Sequence, residues 1–263
     1  MTSYRYPNEQ WILILTVGFL LVIALLVGGP TLCLLPLIVL IFVVLAYLMN
    51  QSQHQALIRQ AQEVTQERAP EMYALVQRLK RRVKPGEVQV YMAGSRQLNA
   101  YTFGLESPQV IVLYSALFHV MDEDELSFIL GHEMGHVALG HTWLNTLLGG
   151  MAGVPVGFGG AVILVLAFRW WNRACEYSAD RAGLLACGKP AKAISALVKL
   201  VARDADTQAE LERALAAVEK EDDEPMNMLA ETLATHPMIG NRIEEIRKFA
   251  ASDQYRQLIH QMQ

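Results

Sequence analysis

The sequence predicts a mainly α-helical protein with one small β-sheet, preceded by an N-terminal transmembrane helical hairpin. Three observations predict it. Two charge-free apolar runs open the chain, Trp11–Val27 and Thr31–Met49, broken by Gly28-Gly29-Pro30. Three short strand-like runs follow, Val88–Ala93, Leu98–Phe103 and Val110–Tyr114, separated by Gly94-Ser95-Arg96 and Gly104–Pro108. Helical spacing with start and stop signals governs most of the rest. Composition agrees. Apolar residues make up 52% of the 263 and charged residues 18%, which leans toward a membrane protein. A net charge of −4 argues against a general nucleic-acid binder.

The hairpin occupies residues 1–50. At 1.5 Å per residue its two runs make helices about 25–29 Å long, close to the hydrocarbon thickness of a bilayer. A cleavable signal peptide would carry a shorter apolar region and lead into soluble sequence. Here a second full-length run follows instead. Arg5 flanks the first run, Arg59 and Arg68 follow the second, and the turn between them carries no charge. The positive-inside rule then places both ends, and everything after them, in the cytoplasm. In a bacterium the membrane would be the inner one.

Residues 51–263 form the second domain. Residues 52–83 read as a polar helical stretch that Pro85-Gly86 stops. Its end, Arg78 to Lys84, is strongly basic. That suits either a solvated helix C-terminus or contact with anionic lipid. The three strands come next, a sheet whose free edge could pair with an extended peptide.

Asp122-Glu123-Asp124-Glu125 reads as a helix start, with Asp122 as N-cap and Glu125 at the capping-box position. From there Leu126, Ile129, Leu130, His132, Glu133, His136, Val137 and Gly140 recur at helical spacing. Two imidazoles four residues apart lie about 40° apart around a helix, so both reach one metal ion. Neutral imidazole suits zinc, and catalytic zinc takes three protein ligands and one open position. Glu133, directly after His132, lies close to that position and can take a proton from water. The bland alternative is a pair of hydrogen-bonded core histidines.

A different zinc pattern puts its third histidine ten residues after the first, behind a glycine turn. That position is Thr142, and the helix is expected to run on without such a turn. His141 falls half a turn from His132 and outside the ligand set. The better third ligand is Glu176. It lies four residues before Asp180 on a second predicted helix, in Arg173-Ala174-Cys175-Glu176-Tyr177-Ser178-Ala179-Asp180-Arg181. One carboxylate can bind metal while the other accepts the remaining N–H of a ligand histidine. The alternative is a solvated face on which Asp180 pairs with Arg173 or Arg181.

The chain resembles the HtpX-type membrane zinc metallopeptidases, relatives of the CAAX prenyl endopeptidases. The resemblance rests on four segments in order over residues 55–250. They are HEMGH at 132–136, EYSAD at 176–180, Asn99-Ala100-Tyr101, and His236-Pro237 with Arg242-Ile243. It implies a gluzincin α+β domain with one Zn2+ held by His132, His136 and Glu176, and with Glu133 as general base. It also makes Asn99–Phe103 the sheet edge. Asn99, Ala100, Tyr101, His236 and Arg242 become substrate or oxyanion candidates, Arg242 alternatively a carboxylate partner or a surface cation. The substrates it implies are polypeptides, misfolded or damaged membrane proteins above all. A non-proteolytic adaptor on the same fold would have no need of Glu133.

Residues 144–168 are almost uncharged and rich in glycine, with Pro155 among them. A single membrane crossing there would separate His136 from Glu176, and two crossings need about 40 residues. The expectation is a bent or re-entrant segment. Arg169-Trp170-Trp171-Asn172-Arg173 follows it at headgroup level. Polar amphipathic helices are expected over about 190–203, 207–220 and 238–250. Cys33, Cys175 and Cys187 suggest small buried residues and no disulfide scaffold.

Overall fold

Strand alternation builds a sheet with two buried faces. The computed structural model describes residues 4–27, 41, 44, 48, 51–52, 54–143, 146, 159–201 and 239–262. Its strands are β1 (Gln62–Glu63), β2 (Val88–Ala93), β3 (Ala100–Phe103) and β4 (Gln109–Tyr114), in spatial order β1-β2-β4-β3. β2 and β4 run parallel, from Val88 opposite Gln109 to Ala93 opposite Tyr114. β3 pairs antiparallel with β4 and forms one edge; β1 pairs antiparallel with β2 and forms the other. Val88, Val90, Ile111 and Leu113 face the main core. Ala93, Phe103 and Val112 face the other way and pack with Leu57, Ile58 and Ala61. That split is the period-two pattern of a pleated strand.

The helices are α1 (Glu9–Val27), α2 (Pro70–Val83), α3 (Leu117–Val120), α4 (Glu123–Ala138), α5 (Gly159–Cys187), α6 (Pro190–Val201), α7 (Ile239–Ala251) and α8 (Asp253–Met262). The expectation of one helical stretch over 52–83 is corrected. Residues 54–60 are helical, β1 interrupts, and α2 starts only at Pro70. Proline suits a first helical turn, where its missing N–H has no partner to lose, and it biases the residue before it away from helix. Ala69 accordingly sits at φ −146°, ψ 68°. The basic end of α2 is partly tied down: Arg78 pairs with Glu123, and Arg82 donates to the Ala186 carbonyl at 2.6 Å.

α4 begins with the complete capping box. The Asp122 carboxylate accepts from the Glu125 N–H at 3.0 Å, and the Glu125 carboxylate from the Asp122 N–H at 2.9 Å. The helix does not run on past residue 140 as expected. It ends at Ala138, and Gly140 turns the chain at φ +74°, a left-handed conformation that glycine adopts without strain.

α4 and α5 pack with almost nothing between them. A Cβ on Gly131 would stand 2.3 Å from Ala186 Cβ, and one on Gly135 would stand 2.5 Å from Ala182 Cβ. A Cβ on Gly183 would stand 2.7 Å from the Phe128 carbonyl oxygen. Two rows of small residues therefore bring the backbones together and set the spacing of the side chains just beyond them.

α5 is one continuous helix of 29 residues, about 43 Å long. It contains both the end of the glycine-rich segment and Glu176. The rings of His141 and Trp171 meet edge to face at 6.0 Å, so the chain leaves α4 and returns in α5 at the same place. Trp170 is exposed. Trp171, expected beside it at headgroup level, is instead buried with Cys175 against Ile12 and Leu13 of α1. The opposite side of α1 exposes Trp11, Ile14, Leu15, Phe19, Leu21 and Val22. Among the described residues no helix is long and apolar enough to cross a membrane. Most of the expected second transmembrane run, the middle of the 144–168 segment, the 207–220 helix and Thr235-His236-Pro237 lie outside the described residues.

Candidate metal centre

His132 and His136 stand on successive turns of α4, with their Nε2 atoms 3.1 Å apart. Glu176 reaches them from α5. Its Oε2 is 3.6 Å from His132 Nε2, and its Oε1 is 3.6 Å from His136 Nε2. All three side chains are buried. Four tetrahedral ligands at zinc bond lengths of about 2 Å stand about 3.3 Å from one another. The observed separations bracket that value.

Hydrogen bonding around the two rings decides where their protons lie. His132 Nδ1 is 2.9 Å from Asp180 Oδ1, which can only accept. Arg242 Nη2 also approaches that nitrogen, at 3.4 Å, but donates to Asp180 Oδ1 at 2.6 Å. The proton therefore sits on His132 Nδ1. On the other side, His136 Nδ1 meets His141 Nδ1 at 3.0 Å, and His141 Nε2 meets Glu9 Oε1 at 3.1 Å. The Glu9 carboxylate accepts, so His141 carries its proton on Nε2 and offers a lone pair at Nδ1. His136 must then donate from Nδ1. In their neutral forms both ligand histidines are left with bare Nε2 lone pairs aimed at one another and at the Glu176 carboxylate. Such a cluster of acceptors repels itself unless a cation lies among them, and a His-His-Glu donor set suits zinc.

The surrounding carboxylates favour positive charge at the same point, whether it is carried by a proton or by a metal ion. Burial would lower the His136 pKa, but the carboxylates of Glu176, Glu133 and Asp180 outweigh it and raise it. Burial also opposes ionisation of Asp180. There the Arg242 guanidinium prevails and holds the carboxyl below the usual carboxylate range. Arg242 grips Asp180 with two donors, Nε to Oδ2 at 2.8 Å and Nη2 to Oδ1 at 2.6 Å, and its Nη1 stands 3.6 Å from Glu176 Oε2. It is a buried carboxylate partner, not a surface cation. Burial pushes His141 down to about 4 against the pull of Glu9, which leaves that ring neutral near pH 7.

Glu133 is buried beside the cluster, and its Oε2 accepts from Thr102 Oγ1 of the edge strand at 3.1 Å. The other edge-strand candidates are placed differently. Asn99 is exposed at the entrance to β3, its carbonyl accepting from the Tyr114 N–H at 3.1 Å. Ala100 packs on the core side, and Tyr101 faces away from the cluster, edge-on to Tyr114 at 6.0 Å.

Sequence reasoning missed Thr102 and Glu9. Thr102 had a usable signal, since alternation from the core-facing Ala100 puts residue 102 on the side of the HExxH helix. Glu9 had a fainter one, as the one acidic residue at the mouth of an uncharged apolar helix.

A glutamate-flanked His-His-Glu cluster on two closely packed helices, under the edge of a small mixed sheet, is the arrangement of a metallopeptidase. Residues 60–250 match peptidase family M48, and the chain belongs to that family. It is 29% identical over 187 residues to the plastoglobule-localized metallopeptidase 48 of Arabidopsis thaliana chloroplasts, an alignment that covers 65% of this chain and 54% of that protein. It is 28% identical over 227 residues to a protease HtpX homolog of Ralstonia pickettii (strain 12J), covering 74% and 79%. The chain thus spans about half the length of the first relative and most of the second. The crystal structure of S. mikatae Ste24p shares the fold, with a TM-score of 0.50 at 19% identity over 87% of this chain and 62% of that one.

Proposed function

We propose that this chain is an integral-membrane, zinc-dependent endopeptidase that hydrolyses peptide bonds in misfolded or damaged membrane proteins. One observation carries the reading. Three potential ligand atoms, from His132, His136 and Glu176, converge within 4.8 Å of one another beside a buried glutamate that is not among them. A bound zinc ion supplies Lewis acidity to the water and to the scissile carbonyl. Glu133 is the base. Its carboxylate, steadied by Thr102, takes a proton from the attacking water and passes it to the leaving amine. Asp180 and Arg242 hold His132 in the tautomer that presents Nε2. The edge strand β3 supports binding of an extended peptide as an added strand, next to Glu133.

The exposed apolar side of α1 supports a membrane setting. A contiguous patch of large apolar side chains favours lipid or a partner over water. The domain after the hairpin faces the cytoplasm, which in a bacterium means the inner face of the inner membrane. Single cysteines at Ser52→Cys and Ser252→Cys, in a chain freed of its native three, should react with an impermeant reagent only once the cytoplasmic face is opened. Labelling of Ser252→Cys in intact cells would reverse the orientation.

The chemistry is tested by Glu133→Gln. The variant should retain zinc and lose hydrolysis of an unfolded membrane substrate, the loss falling on kcat and not on substrate binding. Near-normal turnover by the zinc-loaded variant would remove Glu133 from the role of base.

A further inference from the structure

The Glu9, His141 and Cys175 side chains form a second buried cluster whose ligating atoms lie within 4.8 Å of one another. Nothing in the proposed hydrolysis uses it. Two arrangements fit these residues, a second metal site and a hydrogen-bonded chain. The contacts favour the chain. Every polar atom of His141 already has a partner of the right kind: Nδ1 accepts from His136, and Nε2 donates to Glu9 at 3.1 Å. The remaining Glu9 oxygen accepts from Ser178 Oγ, and Arg5 pairs with the same carboxylate.

We propose that Glu9 and His141 are positioning residues for the metal site. They form a relay by which the first turn of the N-terminal helix fixes the tautomer and aim of His136. The inference rests on the reading of His136 as a metal ligand.

The geometry makes the relay directional. Glu9 accepts only, so His141 must donate to it and accept from His136. His136 in turn must bare Nε2 toward the metal. Remove the carboxylate, and His141 can turn its proton to Nδ1. Two N–H groups would then face each other, which favours the His136 tautomer whose Nε2 carries the proton and cannot bind metal. Glu9 itself is doubly anchored. Arg5 donates to the Leu139 carbonyl at 2.8 Å just past the end of α4, and the Tyr6 N–H donates to Ser178 Oγ at 2.7 Å on α5. The start of α1 is thereby stitched to both helices of the metal centre.

The test is zinc affinity of the full-length protein in detergent, measured by competition with a chromogenic chelator. Outer partners of ligand histidines typically change metal affinity by about 10–100-fold. His141→Ala should fall in that range, and Glu9→Ala near its lower end. A double-mutant cycle separates the relay from simple helix docking. Glu9→Ala should weaken zinc when His141 is present and change nothing further in the His141→Ala background. An equal additional loss in that background would show that Glu9 acts by docking α1 and would overturn the relay.

Glu9→Met, of similar length but with no oxygen to accept, covers the case in which Glu9→Ala does not fold. In metal-free protein, at a pH high enough to leave the His136 ring neutral, 15N spectra of labelled histidine should show His136 protonated on Nδ1 in the parent and shifted toward Nε2 in Glu9→Met. An unchanged tautomer would also overturn the proposal. Two zinc ions per chain, one lost with Cys175→Ser, would replace it by the second metal site. Zinc binding that survives His136→Ala unchanged would instead bring down the proposed metal centre itself, a result distinct from all of these.

Discussion

His132 and His136 face the same point from the same helix, yet they are backed in opposite ways. Behind His132 stands a charged pair, Asp180 gripped by Arg242, and the arginine arrives from α7 near the C-terminus. Behind His136 stands a neutral imidazole, His141, and beyond it Glu9 from the start of α1. One histidine leans on a carboxylate directly; the other meets a carboxylate only through a second ring. A carboxylate contact raises the basicity of a ligand imidazole more than a neutral acceptor does. The two sides should therefore fail differently when cut, and both ends of the chain contribute to the outcome.

The largest effect lies where the two sides meet. Glu176→Ala removes the third donor and should lower zinc affinity by more than the roughly 10–100-fold expected of Asp180→Ala, as read by metal content after dialysis. Full zinc retention by Glu176→Ala would place the third ligand elsewhere and dissolve the comparison.

Next comes the charged side. Arg242→Leu leaves the buried Asp180 carboxylate without its cation, and breaking such a pair from one end costs about 3–5 kcal/mol. Urea unfolding of metal-free protein should show a loss of that order. Truncating His141 on the neutral side leaves one unsatisfied buried donor, at about 1–3 kcal/mol. Equal losses from Arg242→Leu and His141→Ala would mean that the two backings are energetically alike.

The smallest effect tests whether the helix seam holds both sides in register. Gly135→Ala adds a methyl 2.5 Å from Ala182 Cβ and should destabilise by about 1–3 kcal/mol through overpacking. Zinc affinity should fall with it, since the Glu176 helix must move away from both histidines. Ala182→Gly in the same chain should recover part of the loss. No recovery would indicate that Gly135 matters for some reason other than its distance from Ala182.

The local parts of this architecture were readable from the sequence. The capping box from Asp122 to Glu125 is written in adjacent residues, and strand alternation marked β2, β3 and β4 to within two residues at each end. The spacing of His132 and His136, and that of Glu176 and Asp180, follows from one helical turn. What was not legible depends on distance along the chain. Glu9 and His141 are 132 positions apart, and no periodic pattern couples them. Arg242 left three roles open because its buried partner, Asp180, lies 62 positions away. The break before α2 was missed because the polar residues around 61–69 suit an exposed helix as well as a short edge strand, and only Pro70 marked the restart. The turn at Gly140 was passed over because helical spacing continued through it.

The glycine and alanine seam between α4 and α5 has a consequence for how the protein opens. Backbone amides in the middle of α4 lie under another backbone, with Gly131 and Gly135 leaving no side chain to swing aside and admit water. Fluctuations that free one turn at a time have no small step available there, because separating the helices at one residue separates them at all. Amide hydrogens around 131–136 should thus exchange only when the whole domain unfolds, while those at the exposed end of α8 exchange by local fraying. The slowest-exchanging peptide in the chain then becomes a direct gauge of global stability, and it is the segment that carries HEMGH.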